Sequence, residues 1–167
     1  ETPQLDLTER LESVDMFVSS LGATVRYGGV TASYSKAFDR INMPKPHRFI
    51  ETETSSATES FYSVLLHEHI HWTGNTKRLN RDLSGRFGTS AYAIEELVAE
   101  LGAAFLCADL GISVTPRMDH AAYLRSWLVV LRQEKSAIIT ASSAAMTATR
   151  YLSELASKNI VGRKAMS

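Results

Sequence analysis

The sequence predicts an α+β fold, mostly helical with a small antiparallel sheet. Three features carry this reading. Apolar residues recur every three to four positions over most of the chain; a short β-branched stretch punctuated by glycine interrupts them near the start; and no repeat or low-complexity linker divides the 167 residues. A chain of this length favours one domain and buries roughly 70% of its unfolded surface, so neither a disulfide nor a metal is needed simply to fold.

The elements follow in order. Leu7, Leu11, Val14, Phe17, Val18 and Leu21 share one helical face, and Gly22 reads as the cap that stops it. Ala23 to Tyr27 and Val30 to Tyr34 read as strands joined by Gly28-Gly29 in a two-residue hairpin, with a further strand from Asp39 to Met43 ended by Pro44 and Pro46. Glu51 to Ser55 is a polar loop. Ser56 with Glu59 is a capping box opening a helix that runs through Phe61, Tyr62, Leu65 and Leu66 to Gly74. Asn75 to Ser90, with Arg78, Arg81 and Arg86, reads as an irregular polar connection and the main basic cluster. Ala91 to Leu110 is a long helix ending before Gly111. Thr115-Pro116 opens another through about Lys135, and Ser136 to Leu155 forms the last.

Composition excludes several classes. Hydrophobic residues make up 44% and charged residues 22%, which is globular rather than disordered. Eighteen Lys and Arg balance 18 Asp and Glu, so no broad field attracts nucleic acid or an anionic membrane. No apolar run reaches the 18 or so residues of a membrane span. The lone Cys107 forms no internal disulfide and agrees with a reducing, cytoplasmic setting. The start, Glu1-Thr-Pro-Gln, lacks an initiator Met and a signal pattern, and the expectation is a fragment of a longer protein.

The chemistry lies in His67-Glu68-His69-Ile70-His71, an H-E-x-x-H motif inside a predicted helix. His67 and His71 are about 40° apart around the helix and one turn apart along it, so both imidazoles can grip one ion. Glu68 flanks that face as a general base for a metal-bound water. His69 points about 160° away from His71 and is not counted as a ligand.

The Ala91 to Leu110 helix carries Glu95, Glu96 and Glu100 among apolar residues. A catalytic zinc site takes three protein ligands and a water, and a glutamate from a second helix completes a two-His, one-Glu set. Glu96 and Glu100 are one turn apart on one face, so one can ligate while the other supports a ligand imidazole, and the roles are exchangeable. The plainer alternative is that Glu95 and Glu100 are solvated and Glu96 pairs with Arg78 or Arg81. His47, His120 and Cys107 lack ligand or nucleophile spacing; Tyr123 and Trp127 read as core; and no serine elbow or phosphate loop is present.

The run from Phe61 to Asn75, with Arg78-Leu-Asn-Arg81 and Tyr92 to Leu106, resembles the zincin-like metallopeptidase domain of ArdC-type antirestriction proteins, which also occurs in TraC-type plasmid primases. Asp39 to Pro44 and Tyr123 to Leu128 extend the resemblance to roughly residues 8 to 157. His69 departs from it, since the family more often has an apolar residue such as Leu there. The resemblance implies a zincin-like fold, metal ligands at His67, His71 and a glutamate of the Glu95-Glu96 pair, and Glu68 as catalytic base. Glu96 is the choice, with Glu100 and Glu95 as supporting or alternative ligands. The resemblance also implies a mobile-element, conjugation-linked setting and a single-stranded-DNA-binding domain outside this chain.

These readings give one zincin-like domain over 1–167, the C-terminal part of a longer protein. The expected activity is zinc-dependent peptide hydrolysis, with Mn, Ni or Co as substitutes, on a protein or peptide substrate and without a membrane partner. The alternative is a non-catalytic, metal-stabilised binding module of a DNA-associated protein.

Overall fold

The computed structural model describes residues 11–52, 55–85, 89–112, 132 and 136–164. In chain order these form α1 (Glu12–Ser20), β1 (Thr24–Tyr27), β2 (Ser33–Ser35), β3 (Arg40–Met43), a 3-10 turn at Pro46–Arg48, α2 (Ala57–Thr73), α3 (Ser90–Asp109) and α4 (Ala137–Lys164). The fold is α+β and mostly helical, as the sequence predicts. The predicted helix Thr115 to Lys135, with His120, Tyr123 and Trp127, lies outside the described residues apart from Arg132, as do Leu7 and Arg86.

The sheet differs from the prediction. It is mixed rather than antiparallel: the order is β1-β3-β2, with β1 parallel and β2 antiparallel to β3. Gly28-Gly29 does not close a hairpin between β1 and β2. The N–H of Gly28 instead donates to the carbonyl of Met43 at 2.8 Å, prolonging the β1–β3 ladder. The physical reason lies in β3, whose Ile41 and Met43 are fully buried. A strand with two core side chains takes the centre, where both of its edges are bonded, and leaves the more polar β1 and β2 as edges.

The outer helix ends follow the sequence closely. Gly22 adopts φ 74° after α1, the left-handed cap that glycine accepts without a Cβ clash. Ser56 caps α2 reciprocally: its Oγ accepts from the N–H of Glu59 at 3.1 Å, and the Glu59 carboxylate accepts from the N–H of Ser56 at 2.8 Å. Tyr62 ties α1 to α2, accepting from the N–H of Leu11 at 2.9 Å and donating to Asp15 at 3.0 Å.

Leu65, Leu66 and Ile70 of α2, Leu97, Ala103 and Leu106 of α3, and Leu152 of α4 belong to the main core. Ala141, Ala145, Ala148 and Ala156 form a stripe of small side chains along the buried face of α4, which packs against α3. Small residues let helix axes approach closely. Gly102 does the same between α2 and α3: a Cβ there would meet Cδ1 of Ile70 at 2.6 Å. Helix α4 runs past its predicted end at Leu155 to Lys164, and Asn159 donates to the carbonyl of Ser20 at 2.7 Å, satisfying the end of α1.

Candidate metal centre

The α2–α3 contact brings the predicted residues together. His67 and His71 project from one face of α2 with ring centroids 4.8 Å apart and planes at 78°. Their Nε2 atoms lie 3.1 Å from each other. Glu96 of α3 closes the triangle, with Oε2 3.5 Å from Nε2 of His67 and Oε1 3.4 Å from Nε2 of His71. One ligand atom from each of these three residues can be chosen within a 4.8 Å span, a group able to hold a metal ion.

The other ring nitrogens face two further glutamates. Nδ1 of His67 meets Glu100 at 3.2 Å, and Nδ1 of His71 meets Glu95 at 3.0 Å. With each Nδ1–H donated to a carboxylate, both neutral rings turn lone pairs inward. Two lone pairs and a carboxylate then converge on one point, an arrangement that demands positive charge. Burial opposes charge on His67, but Glu100 and Glu96 outweigh it and hold its pKa up at about 10. Burial likewise opposes charge on His71, and Glu95 and Glu96 raise its pKa all the same. Burial also opposes ionisation of Glu96, which the two imidazoles nevertheless keep below the usual carboxylate range. A divalent cation would meet the same demand without protonating either ring.

Glu68 is 6% exposed, and burial raises its pKa, an effect its neighbouring imidazoles offset only in part. The backbone of Tyr34, on edge strand β2, also favours the charged carboxylate, as the smallest of these influences. Oε2 has no hydrogen-bond partner among the described residues. His67, Glu68, His71 and Glu96 all line a cleft of about 290 Å³, walled by Tyr34 and Lys36 on the sheet side and by Leu83 and Tyr92 opposite.

His69 faces away, as its spacing predicts. It is fully buried, Nδ1 donates to the carbonyl of Leu65 at 2.7 Å, and burial pushes its pKa down to about 4. The basic cluster has a different fate from the one its composition suggests. Arg78 and Arg81 have side chains only 9% and 13% exposed and are spent on internal partners. Arg78 lies over the Trp72 ring at 3.8 Å and pairs with Asp39, and Arg81 pairs with Glu95 rather than Glu96. Neither pairing shows in the spacing, because Asp39 and Glu95 are distant in sequence.

A model of zincin-like metallopeptidases matches residues 12–144. The chain belongs to that family. It is 46% identical over 145 residues to the uncharacterized protein y4eC of Sinorhizobium fredii (strain NBRC 101917 / NGR234), covering 87% of this chain and 45% of that protein. It is 36% identical over 134 residues to an Escherichia coli DNA primase TraC, covering 80% of this chain and 12% of the primase. Among solved structures, the metal-free antirestriction ArdC protein of plasmid R388 superposes with a TM-score of 0.73 at 35% identity, over 92% of this chain and 53% of that one. The Mn(II)-bound ArdC structure gives 0.69 at 33% identity, over 91% and 55%. The zincin-like chain thus spans about half the length of ArdC and y4eC, and the ArdC and TraC likeness read from the sequence stands.

Proposed function

We propose that this zincin-like domain is a metal-dependent peptidase whose ion is held by His67, His71 and Glu96, with Glu68 as the general base. The observation that carries the reading is the convergence of both Nε2 atoms and the Glu96 carboxylate while both Nδ1 atoms are occupied by Glu95 and Glu100. The family and the Mn(II)-bound relative support a divalent metal. Two imidazoles and a carboxylate form a borderline-soft N/O set that suits zinc, with Mn, Ni or Co as substitutes.

When bound, the ion supplies Lewis acidity toward a carbonyl and lowers the pKa of its water. The protein's own part is distinct. Glu100 and Glu95 accept the Nδ1–H of His67 and His71, which fixes both tautomers and aims both Nε2 lone pairs at the ion site. Glu68, with its pKa raised by burial, accepts the proton of the attacking water and delivers it to the leaving amine. The cleft beside β2 admits a peptide segment. Antirestriction work on a plasmid or during conjugation, single-stranded-DNA contact through a domain outside this chain, and a cytoplasmic setting complete the proposal, supported by the ArdC and TraC likeness.

The test is hydrolysis of an unfolded protein or a peptide library by the metal-loaded chain. Cleavage that a chelator and Glu68→Gln both abolish supports the peptidase. Stoichiometric metal with no cleavage in any member of the library replaces it with a metal-stabilised binding module.

A further inference from the structure

The segment after α2 sends two buried arginines in opposite directions. Arg78 turns toward the sheet, where it pairs with Asp39 and donates to the carbonyl of Trp72 at 2.6 Å. Arg81 turns toward α3. Its Nε donates to Oε2 of Glu95 at 3.0 Å and its Nη2 to Oε1 at 2.8 Å, a two-pronged pairing. The same guanidinium donates to the carbonyl of Ile70 and to Oγ1 of Thr73, each at 2.7 Å.

Glu95 in turn takes Nδ1 of His71. Ile70 precedes His71, so one guanidinium grips both the backbone beside His71 and the carboxylate that orients its ring. A carboxylate held by one bond can rotate; one gripped by a planar fork cannot. Without that fork, Glu95 would be a buried anion beside a cation site, free to swing inward as a competing ligand to its neighbour Glu96.

We infer that Arg81 is a positioning residue of the metal centre, fixing Glu95 and through it the His71 ring, so that Nε2 of His71 faces Glu96. The inference rests on the metal reading above. It also explains how adjacent glutamates take different roles: Arg81 holds Glu95 outside the triangle while Glu96 closes it.

The experiment measures Zn(II) and Mn(II) affinity of the 167-residue chain by competition with a chromophoric chelator. Arg81→Gln is expected to lower affinity roughly 10- to 100-fold, the range of changes behind a ligand imidazole. Arg81→Lys, which keeps the charge but not the fork, should recover part of it. Arg78→Gln serves as the control: it removes a similarly shielded arginine that pairs with Asp39 instead of Glu95, and should alter affinity less than about threefold. In the Zn(II)-loaded wild type, histidine nitrogen NMR should show His71 protonated at Nδ1, and Arg81→Gln should lose that single state.

Unchanged affinity and an unchanged His71 signal in folded Arg81→Gln overturn the inference. So does an equal loss in Arg78→Gln, which would mark a general effect of the fold. If Arg81→Gln does not fold, Arg81→Lys and Glu95→Gln decide by the same criteria. A wild-type chain that binds neither ion overturns the metal reading instead.

Discussion

The Nε2 atoms of His67 and His71 lie 3.1 Å apart, each ring having turned its Nδ1 to a different glutamate of α3. One turn of α2 brings the rings together, and α3 supplies from Glu95, Glu96 and Glu100 both the third corner and the two outer supports. This division of labour orders the effects of substitution.

His71→Ala and Glu96→Ala should each remove a corner and lose divalent-ion binding almost completely. Glu95→Ala and Glu100→Ala should weaken it roughly 10- to 100-fold, because each leaves a ligand ring without its orienting acceptor. Glu68→Gln should bind the ion as the wild type does and abolish hydrolysis. Elemental analysis and chelator competition measure these effects; full affinity in Glu96→Ala would move the third ligand to another glutamate.

Asp39 gives the fold a predictable acid sensitivity. The Arg78 guanidinium beside it, with Tyr34, holds its carboxyl below the usual carboxylate range. A depressed native pKa stabilises fully above the unfolded value and loses that contribution as pH falls through the native one. The wild type should therefore exceed Asp39→Asn by about 1–3 kcal/mol at pH 6, the size of a hydrogen-bonded charged pair, and the gap should narrow below pH of about 4. Asp39 sits at φ 46°, which Asn also tolerates, so the substitution isolates the charge. Denaturant melts at several pH values measure it; a gap independent of pH would contradict the assignment.

Gly102→Ala should strain the α2–α3 contact. The added Cβ would meet Cδ1 and Cγ1 of Ile70 at 2.6 and 2.8 Å. Overpacking of this kind costs about 1–3 kcal/mol, and each kcal/mol lowers Tm by roughly 2–4 °C in a domain of this size. Ile70→Val removes Cδ1, so Gly102→Ala should cost less in that background. Strict additivity in the double-mutant cycle would show that the clash is relieved elsewhere.

Cys107 should be inert in the folded chain. It is 2% exposed, and burial pushes its thiol up to about 11, the largest influence on it. A thiol reagent at neutral pH should label it only at the rate of global opening and rapidly in denaturant. Immediate labelling of the native protein would refute the burial.

Legible in the order of residues alone is what depends on neighbours within a turn or two. The 3.6-residue period placed His67 and His71 on one face and His69 on another, the Ser56–Glu59 spacing fixed the start of α2, and Gly22 marked the end of α1. The order of residues also narrowed the third ligand to one helix. Tertiary structure decided everything that needed a partner remote in sequence. β3 took the centre because Ile41 and Met43 found the core, which made the sheet mixed and left Gly28-Gly29 without the hairpin its letters suggest. Arg78 and Arg81, which read as part of the main basic cluster, were drawn inward by Asp39 and Glu95, carboxylates 39 and 14 residues away. Periodicity reports which way a side chain points; only the packing of α3 against α2 sets which charge it meets.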